Sequence, residues 1–257
     1  MAGNFHMETV SVVTIAKNEA RHLDSFLKRV SFANEIIVVD NDSVDSTIAI
    51  AQKYTSKIFH STNPSLGFLK NWGLSKTTSD WVLLLDVDEL VSSQLQKEIQ
   101  HVLSQGTRFD GFEIPYQNHF LGHALHCQAQ QYAKIRFFRK NKGVISSVPV
   151  HEEVIIRGTN GKFHGKILHY SFRTLSQVLS KFTRYARVEG MQLRQSETVL
   201  HPKHLTLYPL HMFWAVFITG QGYRDGVWGL LLASCFGYYE WAKYFFLWME
   251  RNNIYGK

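Results

Sequence analysis

Trp81-Val82-Leu83-Leu84-Leu85-Asp86-Val87-Asp88-Glu89 is the stretch on which the fold turns. An apolar run passes directly into three carboxylates within four positions. A short, wholly apolar run of this kind reads as a strand buried on both faces of a parallel sheet. The carboxyl ends of such strands are where open α/β sheets bind ligands. Clustered carboxylates at a strand end are costly unless a cation or hydrogen bonds offset their charge. A hard divalent ion, shared with a substrate phosphate, is one economical compensation. The plainer alternative is an acidic turn capping a helix that begins near Ser92-Ser93.

The flanking sequence supports the strand reading. Thr9 to Ile15 (TVSVVTI) and Glu35-Ile36-Ile37-Val38-Val39-Asp40 are further buried strands, and Ile58-Phe59-His60 is a short one. Between them lie helical patterns through Leu23, Phe26, Leu27 and Val30, and through Ile48 to Tyr54, with another opening at Gly67. Strand alternating with helix in pieces of this length gives an α/β fold, a mostly parallel sheet with helices on both faces. No GxGxxG follows the first strand and no GxxxxGK[ST] occurs, so the dinucleotide fingerprint and the P-loop are excluded. Phosphate would then be held otherwise, most simply through a metal.

The chain has 257 residues, enough for one large domain or a core with an appendage. Residues 1–7 read as a leader remnant, and no apolar run of signal-peptide length follows. Cys127 and Cys235 form no CxxC, which fits a reducing, cytoplasmic setting. The net charge of +7 is unevenly placed. Residues 1–161 carry 16 basic and 16 acidic side chains, whereas 162–257 carry 12 and 5. The basic third also holds most of the tryptophans. Basic plus aromatic suggests an anionic membrane surface or a nucleic acid, with an ordinary solvated face as the alternative.

Three segments together resemble the family 2 glycosyltransferases of the GT-A fold: Val12 to Glu19 (VVTIAKNE), Ile37 to Thr47 (IVVDNDSVDST) and Trp81 to Glu89. Pro149-Val150-His151-Glu152-Glu153-Val154, Leu168-His169-Tyr170-Ser171 and Gly222-Tyr223-Arg224-Asp225-Gly226 are similar to the branch that adds glucose to heptose in bacterial lipopolysaccharide inner core. The resemblance implies an inverting hexosyltransferase using a UDP-sugar and Mg2+ or Mn2+. Its acceptor would be a lipid-linked, heptose-containing saccharide at the cytoplasmic face of the inner membrane, with no nucleic acid partner. Two other readings share the carboxylates: a metal-dependent nucleotidyltransferase or phosphohydrolase, and a non-catalytic sugar-nucleotide-binding membrane protein.

Carried over by position, the resemblance puts Ala16, Lys17, Asn18 and Glu19 with Asp40 around the base and ribose, and Asn41 and Ser43 beside them. A carboxylate at Asp40 accepts the imide N–H of uracil, which cytosine lacks; a helix cap or turn is its structural alternative. Lys70 and Asn71 fall where the family places a basic residue and an amide near the nucleotide, though lysine makes no bidentate contact. Asp86-Val87-Asp88 matches the family's DxD. If extended, it would face both carboxylates to one ligand, with Asp88 on the metal, Asp86 on ribose or a metal-bound water, and His169 as a further ligand. Glu152 is the expected base for the acceptor hydroxyl, Glu153 the runner-up, and His151 its orienter or a diphosphate contact.

Arg136 and Arg139 face either anionic substrate or solvent. His119, His123 and His126 read as a hairpin or acceptor loop, without zinc. The sequence divides into a catalytic domain, 8–175, and a helical extension, 176–257, expected to touch a membrane or a second copy of the chain. The longest charge-free run of its last helix, Val227 to Tyr239, is short of the roughly 18–20 residues that span a bilayer. Asp225 is expected to pin a turn.

Overall fold

The structure, a computed structural model, describes residues 7–146 and 153–252. The chain forms two compact units. The first comprises Met1–Tyr116 and Tyr132–His169, the second Gln117–Gln131 and Tyr170–Lys257.

In the first unit the element order is β1 (Val10–Ala16), α1 (Ala20–Arg29), β2 (Glu35–Asp40), α2 (Thr47–Ala51), β3 (Ile58–His60), α3 (Leu66–Ser75), β4 (Trp81–Leu84), β5 (Glu89–Val91) and α4 (Ser93–Gln105). The chain continues through β6 (Gly111–Phe120), β7 (His123–Ala124), β8 (Ala133–Arg139), β9 (Gly143–Ile145), β10 (Val154–Ile156), β11 (Asn160–Lys162) and β12 (Ile167–Phe172). The sheet order is β3-β2-β1-β4-β8-β6-β12-β5. Strands β3, β2, β1 and β4 run parallel, while β8 is antiparallel to β4 and β12 to β5. β9 and β10 form a separate antiparallel pair.

The apolar runs in the sequence become the buried centre. Every residue of β2 and of β4 is buried. Leu23, Phe26 and Leu27 of α1 are wholly enclosed, at a stabilisation of about 1.5–3 kcal/mol for each such side chain. Trp81 stacks on Phe137 of the antiparallel neighbour, with ring centroids 4.5 Å apart and planes 5° from parallel. On the other face α3 lies close against the sheet at Gly73. A Cβ there would stand 2.7 Å from Cγ1 of Val13, so only glycine lets the helix approach.

The second unit is built on three helices, α5 (Leu175–Gln195), α6 (Pro202–Trp214) and α7 (Gly226–Arg251). A π-helical turn, Ala215–Thr219, extends α6. Val178 and Phe182 of α5 pack with Leu232, Ala233 and Cys235 of α7 and with Phe120, Leu125 and Cys127. Gly229 of α7 meets the backbone of Gly222 so closely that a Cβ would lie 1.8 Å from its carbonyl oxygen. Leu121 and Gly122, both at positive φ, turn the chain from β6 into β7, so the histidine-rich segment is a hairpin. Asp225 is fully enclosed and accepts the backbone N–H groups of His126 (2.8 Å) and Cys127 (2.9 Å), so it pins that hairpin's return to the helices. Among the described residues no helix is long and apolar enough to cross a membrane.

Candidate active site

The carboxyl ends of β1, β2 and β4 lie side by side, because Ala16 pairs with Asp40 and Val13 with Leu84. Loops leaving β1 and β2 are stitched together. Asn18, at φ 55°, donates its N–H to Ser43 Oγ (3.0 Å), and its side-chain oxygen accepts from Val44 N–H (2.8 Å). Glu19 N–H donates to Thr47 Oγ1 (2.8 Å), and Asn41 N–H to the Ala16 carbonyl (2.8 Å). Asn18 and Ser43 thus fix the rim, while the Lys17 side chain is exposed beside them.

Asp40 ends β2 almost fully buried, at 1% exposure. Its Oδ2 accepts from Ser43 N–H (3.3 Å) and lies 3.0 Å from Nδ1 of His60. Its Oδ1 is buried and has no hydrogen-bond partner among the described residues. A buried acceptor left unmet costs about 1–3 kcal/mol, so the position is built at the fold's expense.

The acidic stretch after β4 is not extended. Glu89 N–H donates to the Asp86 carbonyl (2.9 Å), closing a turn, and Val87 at its tip is 3% exposed and packs into the core. The expectation that Asp86 and Asp88 face one ligand by strand alternation is therefore corrected: the turn sends the carboxylates to different partners. Asp86 lies 3.4 Å from Lys70 Nζ and 3.5 Å from Arg136 Nη2. Asp88 lies 3.5 Å from Nε2 of His169, which stands opposite Glu89 in the β5–β12 register. Tyr132 Oη is 3.4 Å from Nδ1 of the same imidazole.

Glu89 is the third carboxylate, and its charge is met inside the protein. It is 2% exposed, accepts from Arg136 Nη2 (3.0 Å) and Tyr116 Oη (2.9 Å), and accepts from Asp86 N–H (3.1 Å). Arg136 Nε in turn donates to Tyr116 Oη (2.7 Å). Burial pushes the Glu89 carboxyl above the usual range against the pull of Arg136, and it pushes the Tyr116 hydroxyl up as well. Arg136 stays charged, because Glu89, Tyr116 and Asp86 outweigh its own burial. This corrects the reading of Arg136 as facing substrate or solvent: it is the buried partner of the acidic turn. Arg139 lies over the Trp81 ring and pairs with Glu8 (2.7 Å).

Lys70 is buried on α3. Asn71, one residue on, donates Nδ2 to the carbonyls of Gly67 and Ile145 (both 3.0 Å) and so ties α3 to β9. His151 and Glu152 lie outside the described residues. Glu153 is exposed, and its backbone exchanges two hydrogen bonds with Ser146. It lines a cavity of about 180 Å³ with Glu113, Lys134 and Arg136. Among the described residues no group of three His, Cys, Asp or Glu side chains is disposed to hold a metal. The pair Asp88 and His169 offers one carboxylate and one imidazole, a donor set suited to Mg2+ or Mn2+ when substrate phosphates complete the shell.

The parallel half-sheet carries an acidic turn at its carboxyl edge, where sheets of this class bind ligands. The profile of Glycosyl transferase family 2 matches residues 11–150, more than half the chain, and the chain belongs to that family. It is a glycosyltransferase of GT-A fold. An uncharacterized glycosyltransferase of Rickettsia conorii is 28% identical over 92% of this chain and 88% of its own length. The lipopolysaccharide core biosynthesis glycosyltransferase LpsC of Rhizobium meliloti is 23% identical over 93% of this chain and 89% of its own. Among solved structures, glucosyl-3-phosphoglycerate synthase of Mycobacterium tuberculosis, crystallised with Mg2+ and UDP, aligns at a TM-score of 0.37. It has 19% identity over 52% of this chain and 57% of its own.

Proposed function

We propose that the enzyme transfers a hexose, glucose by preference, from a UDP-sugar to a saccharide of lipopolysaccharide core or a related envelope glycolipid, with inversion at the sugar's C1. The work would take place at the cytoplasmic face of the inner membrane. The observation that carries the donor half is Asp40 Oδ1, a buried acceptor that meets no donor among the described residues. It sits beside the rim of Ala16, Lys17, Asn18, Glu19, Asn41 and Ser43, and the imide N–H of uracil supplies the hydrogen bond it lacks. Cytosine, with a bare ring nitrogen there, does not.

Asp88 and His169 would hold Mg2+ or Mn2+, which when bound offsets the charge that develops on the departing diphosphate. Tyr132 beside His169 Nδ1 orients that imidazole. Asp86, with Lys70 and Arg136 beside it, would receive ribose hydroxyls or a water. Asn71 supports Lys70 from the next position by locking α3. Glu152 would take the acceptor hydroxyl's proton as its oxygen bonds to C1 and the C1–oxygen bond to UDP breaks. Glu153 is the second choice, and His151 would orient the base.

The test is turnover with UDP-glucose and a deacylated heptose-containing acceptor. Glu152→Gln should lose about 10²–10⁴-fold in kcat while binding UDP as the parent does. Full activity in both Glu152→Gln and Glu153→Gln would remove the base from this segment.

A further inference from the structure

α6 carries an apolar stripe that no other described residue covers. Leu207, Leu210 and Trp214 are each more than half exposed, and Ile218 follows in the π-helical turn at 38%. Their steps of three, four and four residues put them on one face of the helix. The flanks and the opposite face are accounted for: His204 and Val216 are buried, and Met212, Phe213 and Phe217 pack against the helical core. The stripe is therefore not a leftover of loose packing. Exposed leucine and tryptophan in line on a well-seated helix mark an interaction surface.

Charge identifies the occupant. From Thr198 to Tyr239 the sequence contains a single acidic residue, Asp225, and its side chain is fully enclosed. Lys203 and Arg224, both exposed, precede and follow the stripe in the chain, and His211 is exposed within it. A surface with apolar side chains in line, cations before and after them in the chain and no exposed carboxylate over that span is complementary to an anionic bilayer, where such helices lie in the plane of the interface. A second copy of the chain is the poorer match. The stripe is on the order of 17 Å long and 10 Å wide, a small fraction of the roughly 800 Å² per partner that a stable dimer needs.

We propose that the Leu207–Leu210–Trp214–Ile218 face of α6 is the element that inserts into anionic lipid. This rests on the reading of the acceptor as a lipid-borne saccharide, and it names the residues that bring the enzyme to that lipid. Trp214 would then sit at headgroup depth, as amphipathic aromatic rings do.

The full-length protein is tested by sedimentation with vesicles of 30% phosphatidylglycerol in phosphatidylcholine, and with phosphatidylcholine alone. A Leu207→Ser/Leu210→Ser/Trp214→Ser variant is compared, its fold checked by circular dichroism and UDP binding. The proposal expects tenfold or greater preference of the parent for anionic vesicles, tenfold or greater loss in the variant, and unchanged turnover on a water-soluble acceptor. Fluorescence of the parent should be quenched by brominated lipid, and less so in Trp214→Phe. Vesicle binding unchanged in the triple variant overturns the assignment of this face while leaving membrane association intact. No vesicle binding by the parent overturns both. A dimer in analytical ultracentrifugation that the triple variant abolishes assigns the face to a second copy instead.

Discussion

Two buried glutamates sit at opposite ends of the parallel strands, and burial acts on them with different outcomes. Glu35 begins β2, 7% exposed, and accepts hydrogen bonds from Ser11 Oγ, Lys57 Nζ and both N–H and hydroxyl of Thr78. Burial pushes its carboxyl up, but these donors outweigh it and hold the pKa at about 2. Glu89 follows β4, 2% exposed, with one arginine, one tyrosine and one backbone N–H, and there burial wins. The first arrangement is saturated and has nothing left to bind. The second belongs to a set in which Arg136 is divided between Glu89 and Asp86, so the acidic edge is kept poised with less internal compensation.

The sharpest way to break that contrast is to remove the shared cation. Arg136→Met leaves Glu89 buried beside Asp86 without its guanidinium, and chemical denaturation should show a loss of about 3–5 kcal/mol. Adding Glu89→Leu should recover most of it, because the unpaired charge goes too. If the single variant costs nothing, the buried pair is not what holds the turn.

At the nucleotide rim the expected effect is next in size. Asp40→Asn should weaken UDP binding about tenfold or more, the worth of a hydrogen bond to a charged acceptor. Folding stability should stay level or rise, since an unmet buried oxygen is neutralised. Equal UDP affinity in this variant would detach Asp40 from base recognition.

Glu35 gives the smallest and most pH-dependent effect. Its folded pKa, about 2, lies below the ordinary carboxylate value near 4.3, so its contribution is fully present above that value and is lost as pH falls toward 2. Glu35→Gln should flatten the acid limb of the stability profile in that window and leave UDP binding untouched. A steeper acid limb in the variant would reverse the assignment.

Much of this was legible in the sequence, and the parts that were not share a cause. The runs at Val12–Ile15, Ile36–Val39 and Trp81–Leu84 announce buried strands, because an unbroken apolar stretch has no other place in a soluble sheet. The helical lengths on either side of Gly222–Asp225 were equally plain. The turn at Asp86–Glu89 was hidden, since carboxylates two apart look alike in a strand and in a turn. Arg136 as the partner of Glu89 was hidden because it arrives from an antiparallel strand 47 residues on, and no local pattern encodes that pairing. Asn18 and Asn71 look like ligand contacts in sequence; in the fold their amides hold backbone. The inclusion of Gln117–Gln131 with the helical unit depends on Asp225 reaching the backbone of His126 and Cys127, again a long-range event.

The most direct test of the central claim, a uridine- and metal-dependent donor site at the carboxyl edge, is calorimetric titration of the full-length protein with UDP, CDP and GDP, with and without Mn2+. The account predicts UDP binding that strengthens with Mn2+, loses that metal dependence in Asp88→Ala, and exceeds CDP binding by about tenfold or more. Binding of UDP that ignores Mn2+ and survives Asp88→Ala unchanged, or equal affinity for CDP, would contradict it.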